Sequence, residues 1–142
     1  MNGNDWNKIV TPEAVLDTSA IMAFWLNEPG AERIYPCFRE RRPVVMHQVN
    51  ICECMFALPR KWPGRMSVAT AAERVGRLSI LRVAWLDDDF CRLAAMVRLS
   101  VPALSVGDAM AVASAAMLEI PVLTADFAFR KAVTFAEIQM IR

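Results

Sequence analysis

Four acidic residues stand where the surrounding sequence does not favour a solvent-exposed charge. Asp17 ends the apolar run A-V-L, and Glu53 lies on a largely apolar helical face. Asp108 opens a segment that carries no other charge before Glu119, and Asp126 follows the apolar run P-V-L. Charged side chains in such places are uncommon unless they are paired or functional. The four acids are therefore the residues whose positions indicate chemistry.

If these carboxylates converge, they need a counter-charge. Each pair at ~4–5 Å would cost roughly 3–4 kcal/mol at an effective dielectric constant near 20. No Lys or Arg of the same motifs would be buried beside them, whereas a hard divalent cation would offset the repulsion. A ligand set made only of oxygen atoms is typical of Mg²⁺ or Mn²⁺. Asp17, Glu53, Asp108 and Asp126 are thus predicted as catalytic residues and metal ligands that activate water toward a phosphodiester.

Each acid also has a purely structural interpretation, which the sequence leaves open. Ser105 and Asp108 form an S-x-x-D capping box, and Asp126 could cap a short helix. Asp17 could be a turn residue, and Glu53 a paired structural glutamate.

The surrounding pattern predicts the elements that would position these acids. Short apolar runs at 14–16, 44–46 and 121–123 read as buried strands, with an edge strand within 80–86 and a last strand in the tail. Helices are expected between them, at 18–26 (with Thr18 or Ser19 as N-cap), 31–40, 47–58, 67–77, 87–100, 105–119 and 126–131. The expected fold class is α/β, a three-layer αβα arrangement around a mainly parallel sheet. Strand-to-helix junctions of such a sheet share one edge, where ligands bind.

Composition bounds the possible functions. The 142 residues are enough for a single domain over 1–142, with 1–13 as a leading segment. A hydrophobic content of 56% excludes intrinsic disorder, and a net charge of +1 means that nucleic acid could bind only through local patches. No apolar run could span a membrane, and the N-terminus does not read as a signal peptide. We therefore expect a cytoplasmic protein without a membrane partner.

Cysteine and histidine content narrows the chemistry further. The four cysteines form no C-x-x-C pair, so we expect four reduced, core-filling thiols. The lone His47 argues against histidine-based zinc sites and Ser/His/Asp triads, unless His47 itself is the base.

Three segments together resemble the PIN-domain ribonucleases, and most of all the small VapC-type toxins of bacterial toxin–antitoxin pairs. They are AVLDTSAIMAFWLNEPGAERI, VNICECMFAL and LSVGDAMAVASAAMLEIPVLTADFAF. The family's four acids fall on Asp17, Glu53, Asp108 and Asp126. The hydroxyl that supports the metal and its waters in the family falls on Ser19, and Thr124 matches a supporting polar position. The stretch 69–99 is not diagnostic.

This resemblance implies a PIN-like fold and a Mg²⁺- or Mn²⁺-dependent endoribonuclease. Such an enzyme would cut RNA with water as the nucleophile, leaving 5′-phosphate and 3′-hydroxyl ends. It also implies a homodimer that a cognate antitoxin protein holds inactive.

Two other surfaces could serve such a function. Arg60, Lys61 and Arg65 surround Trp62 and are candidate RNA contacts, the alternative being a solvated loop with the ring folded onto the surface. Large apolar residues surround the first helix almost completely, so one face could seat an antitoxin helix.

Two rival functions remain at this stage. A phosphatase of the haloacid-dehalogenase type would carry a second Asp where Ser19 stands, which argues against it. A non-catalytic PIN-like interaction module would not need all four acids.

Overall fold

The computed structural model describes residues 11–142, so most of the expected leading segment 1–13 lies outside the described residues. Five strands alternate with helices along the chain. The strands are β1 (Ala14–Leu16), β2 (Val44–His47), β3 (Ile80–Val83), β4 (Val122–Thr124) and β5 (Ile138–Met140). The helices are α1 (Thr18–Leu26), α2 (Ala31–Arg39), α3 (Gln48–Lys61), α4 (Val68–Gly76), α5 (Asp88–Ser100) and α6 (Val106–Leu118), with a 3-10 helix at Phe127–Ala132.

All five strands are parallel, in the order β3-β2-β1-β4-β5. The chain builds outward from β1 to β2 and β3, then returns to the other side of β1 with β4 and β5. The strand order therefore reverses between β1 and β4, and at such a reversal the flanking connections diverge and leave a crevice at the carboxyl edge. Asp17 follows β1 at this point, and Thr124 ends β4 there.

Alternate strand residues bury the two faces of the sheet under different helices. Leu16 and Met46 face a core built with α1, α2 and α3. Val15 and Val45 face a second core built with α5 and α6. This arrangement confirms the expected three-layer α/β class, and within the described residues the sheet is entirely parallel.

Two local expectations about helices were wrong. The N-cap of α1 is Asp17, not Thr18 or Ser19: its side chain accepts a hydrogen bond from the backbone N–H of Ala20 at 2.9 Å. Helix α3 does not end before Pro59 but continues to Lys61. Proline removes one N–H donor and crowds the preceding turn, and here that costs only one bond near the end of a long helix.

The cysteines divide between core and surface. Cys37 and Cys54 are buried as expected, whereas Cys52 and Cys91 are exposed, so the expectation of four core-filling thiols was wrong for these two. Cys52 is exposed because it lies on the outer side of α3, two residues from the buried Cys54. All four are free thiols, as predicted. Within residues 11–142, no helix has the length and apolar character needed to cross a membrane.

Candidate active site

Asp17 is the centre of the site. It is 1% exposed and lies at the end of β1, where its carboxylate is surrounded by hydroxyl groups. Ser19 Oγ lies 2.8 Å from each carboxylate oxygen, and Thr124 Oγ1 donates to Oδ2 at 2.7 Å. These bonds connect the first turn of α1 to the end of β4 across the strand-order reversal. The structure thus places both supporting residues, Ser19 and Thr124, directly on Asp17.

Burial controls the protonation of this carboxylate. Desolvation raises the pKa of Asp17 from 3.8 to about 7, although the bonds from Thr124, Ala20 and Ser19 oppose the rise. The negative charge of Asp108 raises it slightly further. Among residues 11–142, no cationic side chain is paired with this deeply buried carboxylate, and such a group favours a positive ligand.

Glu53 lies on the α3 side of the crevice. Its Oε1 accepts from Thr18 Oγ1 at 2.9 Å and from Asn50 Nδ2 at 2.8 Å. Asn50 Nδ2 also donates to the carbonyl oxygen of Gly107 at 3.1 Å, so it joins α3 to the first turn of α6. A Cβ atom on Gly107 would lie only 2.6 Å from Glu53 Oε1. The glutamate is therefore seated in the space that Gly107 leaves.

The same cluster contains an unsatisfied acceptor. Asn50 is fully buried, and among the described side chains its Oδ1 is a buried polar atom without a hydrogen-bond partner. Both contacts of its Nδ2 are to oxygen atoms, which fixes the orientation of the amide. Such an atom normally has a partner such as a water molecule or an ion.

Asp108 and Asp126 both serve as helix caps, as their structural interpretations predicted. Asp108 Oδ2 accepts from the backbone N–H of Ser105 at 2.9 Å, and Ser105 Oγ accepts from the N–H of Asp108, forming a complete capping box. Asp126 Oδ1 accepts from the N–H of Ala128 at 2.9 Å and caps the 3-10 helix. Burial raises the pKa of Asp108, and the charge of Asp126 adds to that rise. Both acids therefore take part in capping, and Asp108 is also near enough to Asp17 for its charge to raise the pKa of that carboxyl.

The negative charges of the site also affect the thiol of the neighbouring Cys54. Burial raises the pKa of its thiol to about 12, and the charges of Glu53 and Asp17 contribute to the rise. This thiol stays protonated at neutral pH and is not a nucleophile. Charge effects thus connect Asp126 with Asp108 and Asp108 with Asp17, while Glu53 and Asp17 both act on Cys54.

The four carboxylates are not arranged as a closed cage. Over residues 11–142, no group of three or more His, Cys, Asp or Glu side chains has the spacing needed to hold a metal ion. Glu53 accepts hydrogen bonds from Thr18 and Asn50, while Asp108 and Asp126 accept hydrogen bonds from backbone N–H groups at helix ends. The donor chemistry nevertheless fits a hard cation, because the candidate ligands are carboxylate and hydroxyl oxygens and the buried Asn50 Oδ1 has no partner among the described residues.

The other candidates lie outside this centre. Arg60, Lys61 and Arg65 are exposed, whereas Trp62 is half-buried and packs near Leu58. His47 is buried at the start of α3, where Nδ1 accepts from the N–H of Val49 and Nε2 contacts the carbonyl oxygen of Trp85 at 3.0 Å. Both ring nitrogens of His47 thus make polar contacts with the backbone.

Sequence reasoning missed three contributors to the site: Thr18, Asn50 and Gly107. The sequence indicates Thr18 only as a possible helix cap. Asn50 had a detectable signal, because it lies three residues before Glu53 and therefore on the same helical face. Gly107 had none, since its role depends on a contact between α6 and α3.

Comparison with known proteins gives one family and several related structures. The family model described as "PIN domain" matches residues 14–134. No curated protein sequence is significantly similar to the chain. A toxin–antitoxin complex from Klebsiella pneumoniae has a TM-score of 0.65 at 14% identity, covering 92% of this chain and 98% of that one.

Two further structures are similar over nearly their whole length. The DNA-bound VapBC from Salmonella typhimurium has a TM-score of 0.64 at 15% identity, covering 92% of this chain and 99% of that one. VapBC2 from Rickettsia felis, bound to a DNA fragment from its promoter, has a TM-score of 0.65 at 8% identity, with coverages of 89% and 97%. At these identities the similarity establishes a shared fold.

Proposed function

Since the chain belongs to the PIN-domain family, we propose that it is a metal-dependent endoribonuclease and the toxin of a toxin–antitoxin pair. The observation that carries this proposal is the buried carboxylate of Asp17 at the strand-order reversal, with Asp108 near enough for its charge to raise the pKa of Asp17. The similarity to solved toxin–antitoxin complexes supports the proposed biological role. We further propose that residues 1–142 are one domain and that the chain acts as a homodimer in the cytoplasm.

Mg²⁺ or Mn²⁺ is the proposed cofactor, with Asp17, Glu53, Asp108 and Asp126 as its ligands. When bound, such a cation lowers the pKa of a coordinated water and stabilises charge on phosphate oxygens. To act as ligands, both acids must bind the cation while they accept their present hydrogen bonds. For Glu53 these come from Thr18 and Asn50, and for Asp108 from the capping box. Because all of these partners are hydrogen-bond donors to carboxylate oxygens, each acid keeps lone pairs for a cation.

The chain's own groups would orient the acids and hold their protons. Ser19 and Thr124 donate hydrogen bonds that fix the rotamer of Asp17. Asn50 and Thr18 do the same for Glu53. The raised pKa of Asp17 means that this residue gives up its proton near neutral pH as a cation binds. Exposed Arg60, Lys61 and Arg65 are proposed contacts for the RNA backbone, with Trp62 beside them.

A cleavage assay tests this function. The purified free protein should cut single-stranded RNA only with Mg²⁺ or Mn²⁺ and leave 5′-phosphate ends. Asp17→Asn, Glu53→Gln and Asp108→Asn should each abolish cleavage, because each removes an anionic ligand at nearly constant shape. Asp88→Asn, at an exposed acid in the first turn of α5, is the matched control and should cut normally.

A non-catalytic PIN-like module is the second candidate. One observation favours it. Over residues 11–142 the acids of the site accept hydrogen bonds from helix ends and neighbouring side chains, and they do not form a group spaced to hold a metal ion. The same assay decides between the two functions. Full cleavage by a folded Asp17→Asn protein, or no cleavage by the wild type with either cation, would contradict the proposed site.

A further inference from the structure

Two exposed aromatic rings belong to the elements that carry Glu53 and Asp126. Of the Phe, Tyr and Trp side chains within residues 11–142, only Phe56 and Phe127 are exposed, at 48% and 59%. The other described aromatic side chains are buried or half-buried. A large ring normally contributes to stability through burial, and exposed rings that are accompanied by basic side chains are typical of single-strand binding surfaces.

Both rings adjoin an acid of the site. Phe127 directly follows Asp126 at the start of the 3-10 helix, and Phe56 lies one helical turn beyond Glu53 on α3. Glu53 is connected to the β1 end of the crevice through Thr18, and the backbone N–H of Asp126 is bonded to Thr124. Because α3 follows β2 and the 3-10 helix follows β4, and these strands pair with opposite sides of β1, the two rings belong to elements on opposite flanks of Asp17.

Each ring is accompanied by an arginine. The Arg130 guanidinium lies 4.7 Å from the centroid of the Phe127 ring. Arg60 follows Phe56 by four residues on α3, which places the two on neighbouring turns of one helical face. Arg60 and Arg130 are both exposed, and a basic residue follows each of them in the sequence. Both flanks thus combine an open ring with positive charge, in a chain whose net charge is only +1.

We propose that Phe56 and Phe127 are base-stacking positions for single-stranded RNA, one on each flank of the acidic crevice, with Arg60 and Arg130 binding the adjacent phosphates. The inference rests on the proposed ribonuclease function and extends it to substrate binding. Stacking on aromatic rings tolerates any base, and basic side chains hold the backbone. The acids repel RNA, so contacts on both flanks would hold a strand across them.

Charge favours RNA over a protein as the occupant of these rings. A protein segment that neutralises the carboxylates of the crevice would carry basic side chains. Those side chains would meet Arg60 and Arg130 as like charges, which disfavours that partner. A phosphate backbone is attracted by the same arginines and needs only its bases to reach the rings.

Fluorescence anisotropy with a short, mixed-sequence, labelled single-stranded RNA tests the proposal. Binding is measured in EDTA, so that neither cleavage nor metal affinity enters the result. Phe56→Ala and Phe127→Ala should each weaken binding by about 5- to 100-fold. Phe56→Trp and Phe127→Trp should keep the affinity within about threefold, because the π-face remains. Leu99→Ala removes an 83% exposed apolar side chain from α5 and should leave RNA binding unchanged.

The arginines have a separate readout. Arg60→Gln and Arg130→Gln should each lower the slope of log affinity against log salt by about 0.7, as expected for one lost phosphate contact on a single strand. The two Phe→Ala variants should leave that slope unchanged while lowering affinity.

The outcomes separate this inference from the proposed function. If the wild type binds and cuts RNA but the Phe→Ala variants bind it equally well, the stacking positions are wrong and the ribonuclease stands. If those variants lose only affinity for the antitoxin, the rings belong to a protein interface and the proposal is overturned. If the wild type neither binds nor cuts RNA, both the inference and the proposed function fail.

Discussion

Asp17 combines two roles whose energetic demands conflict. As the N-cap of α1 it stabilises the helix through the N–H of Ala20, and as the buried centre of the crevice it carries a large desolvation cost. Its pKa of about 7 shows that the hydroxyls of Ser19 and Thr124 only partly compensate for burial. The carboxylate thus lowers the stability of the metal-free fold at neutral pH, which is typical of a residue retained for function.

This conflict predicts a pH-dependent effect of Asp17→Asn on metal-free stability. Between pH 3.8 and about 7 the folded state holds the proton and the unfolded state has released it. The contribution of Asp17 to wild-type stability should therefore fall by about 1.4 kcal/mol per pH unit across this window and level off above it. Because Asn does not titrate, the stability of the variant relative to that of the wild type should increase as pH rises.

Urea unfolding in EDTA measures this effect. The stability difference between variant and wild type should grow from about pH 4 to about pH 8 by a few kcal/mol. A difference that stays constant with pH would contradict the raised pKa of Asp17.

Gly107 provides a second prediction at the residue scale. In Gly107→Ala the new Cβ would lie 2.6 Å from Glu53 Oε1, so the carboxylate must move. Because that group is the end of a flexible side chain, we expect little loss of stability but a 10- to 100-fold loss of Mn²⁺ affinity, as is typical of outer contacts of a metal site. Isothermal titration calorimetry measures the affinity.

A matched glycine is available as a control. Gly76 lies in α4, and apart from its chain neighbours and its own helix backbone, no atom of residues 11–142 lies within 4 Å of the Cβ that a substitution would add there. Gly76→Ala should therefore leave Mn²⁺ affinity unchanged. Equal affinities for both variants would show that Gly107 does not seat Glu53.

The four acids could be singled out from sequence because each stands out within its own segment, whereas Ser19 and Thr124 were indicated only by the family resemblance. Asp17 and Asp126 end apolar runs, and Ser105 and Asp108 show capping-box spacing. Thr18, Asn50 and Gly107 could not be assigned, because their roles depend on distances between α1, α3 and α6. Sequence periodicity describes one element at a time and does not report such distances.

At the scale of elements, helix ends were the least predictable feature. Asp17 replaces Thr18 and Ser19 as the cap of α1 because its backbone is extended and its carboxylate faces the open N–H groups. Pro59 did not end α3, since the last turn tolerates one missing bond. The two hydroxyls that were expected to cap α1 instead bind the carboxylates of Glu53 and Asp17.

Helix α1 carries a prediction about the proposed antitoxin. Ile21 and Met22 are buried, whereas Phe24, Trp25 and Leu26 remain half-exposed. If this face seats an antitoxin helix, Trp25→Ala should lower antitoxin affinity by about 2 kcal/mol or more, as for a central interface residue. Surface plasmon resonance on the folded variant measures the affinity, and RNA cleavage by the free protein should persist.

Trp25 also packs against the core, so stability must be followed in parallel. Leu99→Ala, which removes an exposed apolar residue of α5, is the control for nonspecific effects. Reduced stability with unchanged antitoxin affinity would assign Trp25 to the core alone.

The architecture of the whole molecule was predictable because short, fully buried strands alternate with helices. Runs such as A-V-L and V-V-M have no polar face, which is typical of parallel strands covered on both sides. The strand order β3-β2-β1-β4-β5 could not be derived this way. That order places the reversal between β1 and β4, and so brings Asp17 together with Thr124.

If the proposed metal site is correct, divalent cations should stabilise the whole domain. A ligand that binds only the folded state at 100 times its dissociation constant adds about 2.7 kcal/mol. Mn²⁺ should therefore raise the melting temperature by roughly 5–10 °C for a domain of this size. Asp108→Asn should lose most of this rise in melting temperature, because it removes one of the proposed anionic ligands. Asp88→Asn, at an exposed acid of α5, should keep the rise. Differential scanning fluorimetry in EDTA and in saturating Mn²⁺ gives both values. A wild-type curve that does not change with Mn²⁺ or Mg²⁺ would mean that Asp108 and Asp126 serve only as helix caps.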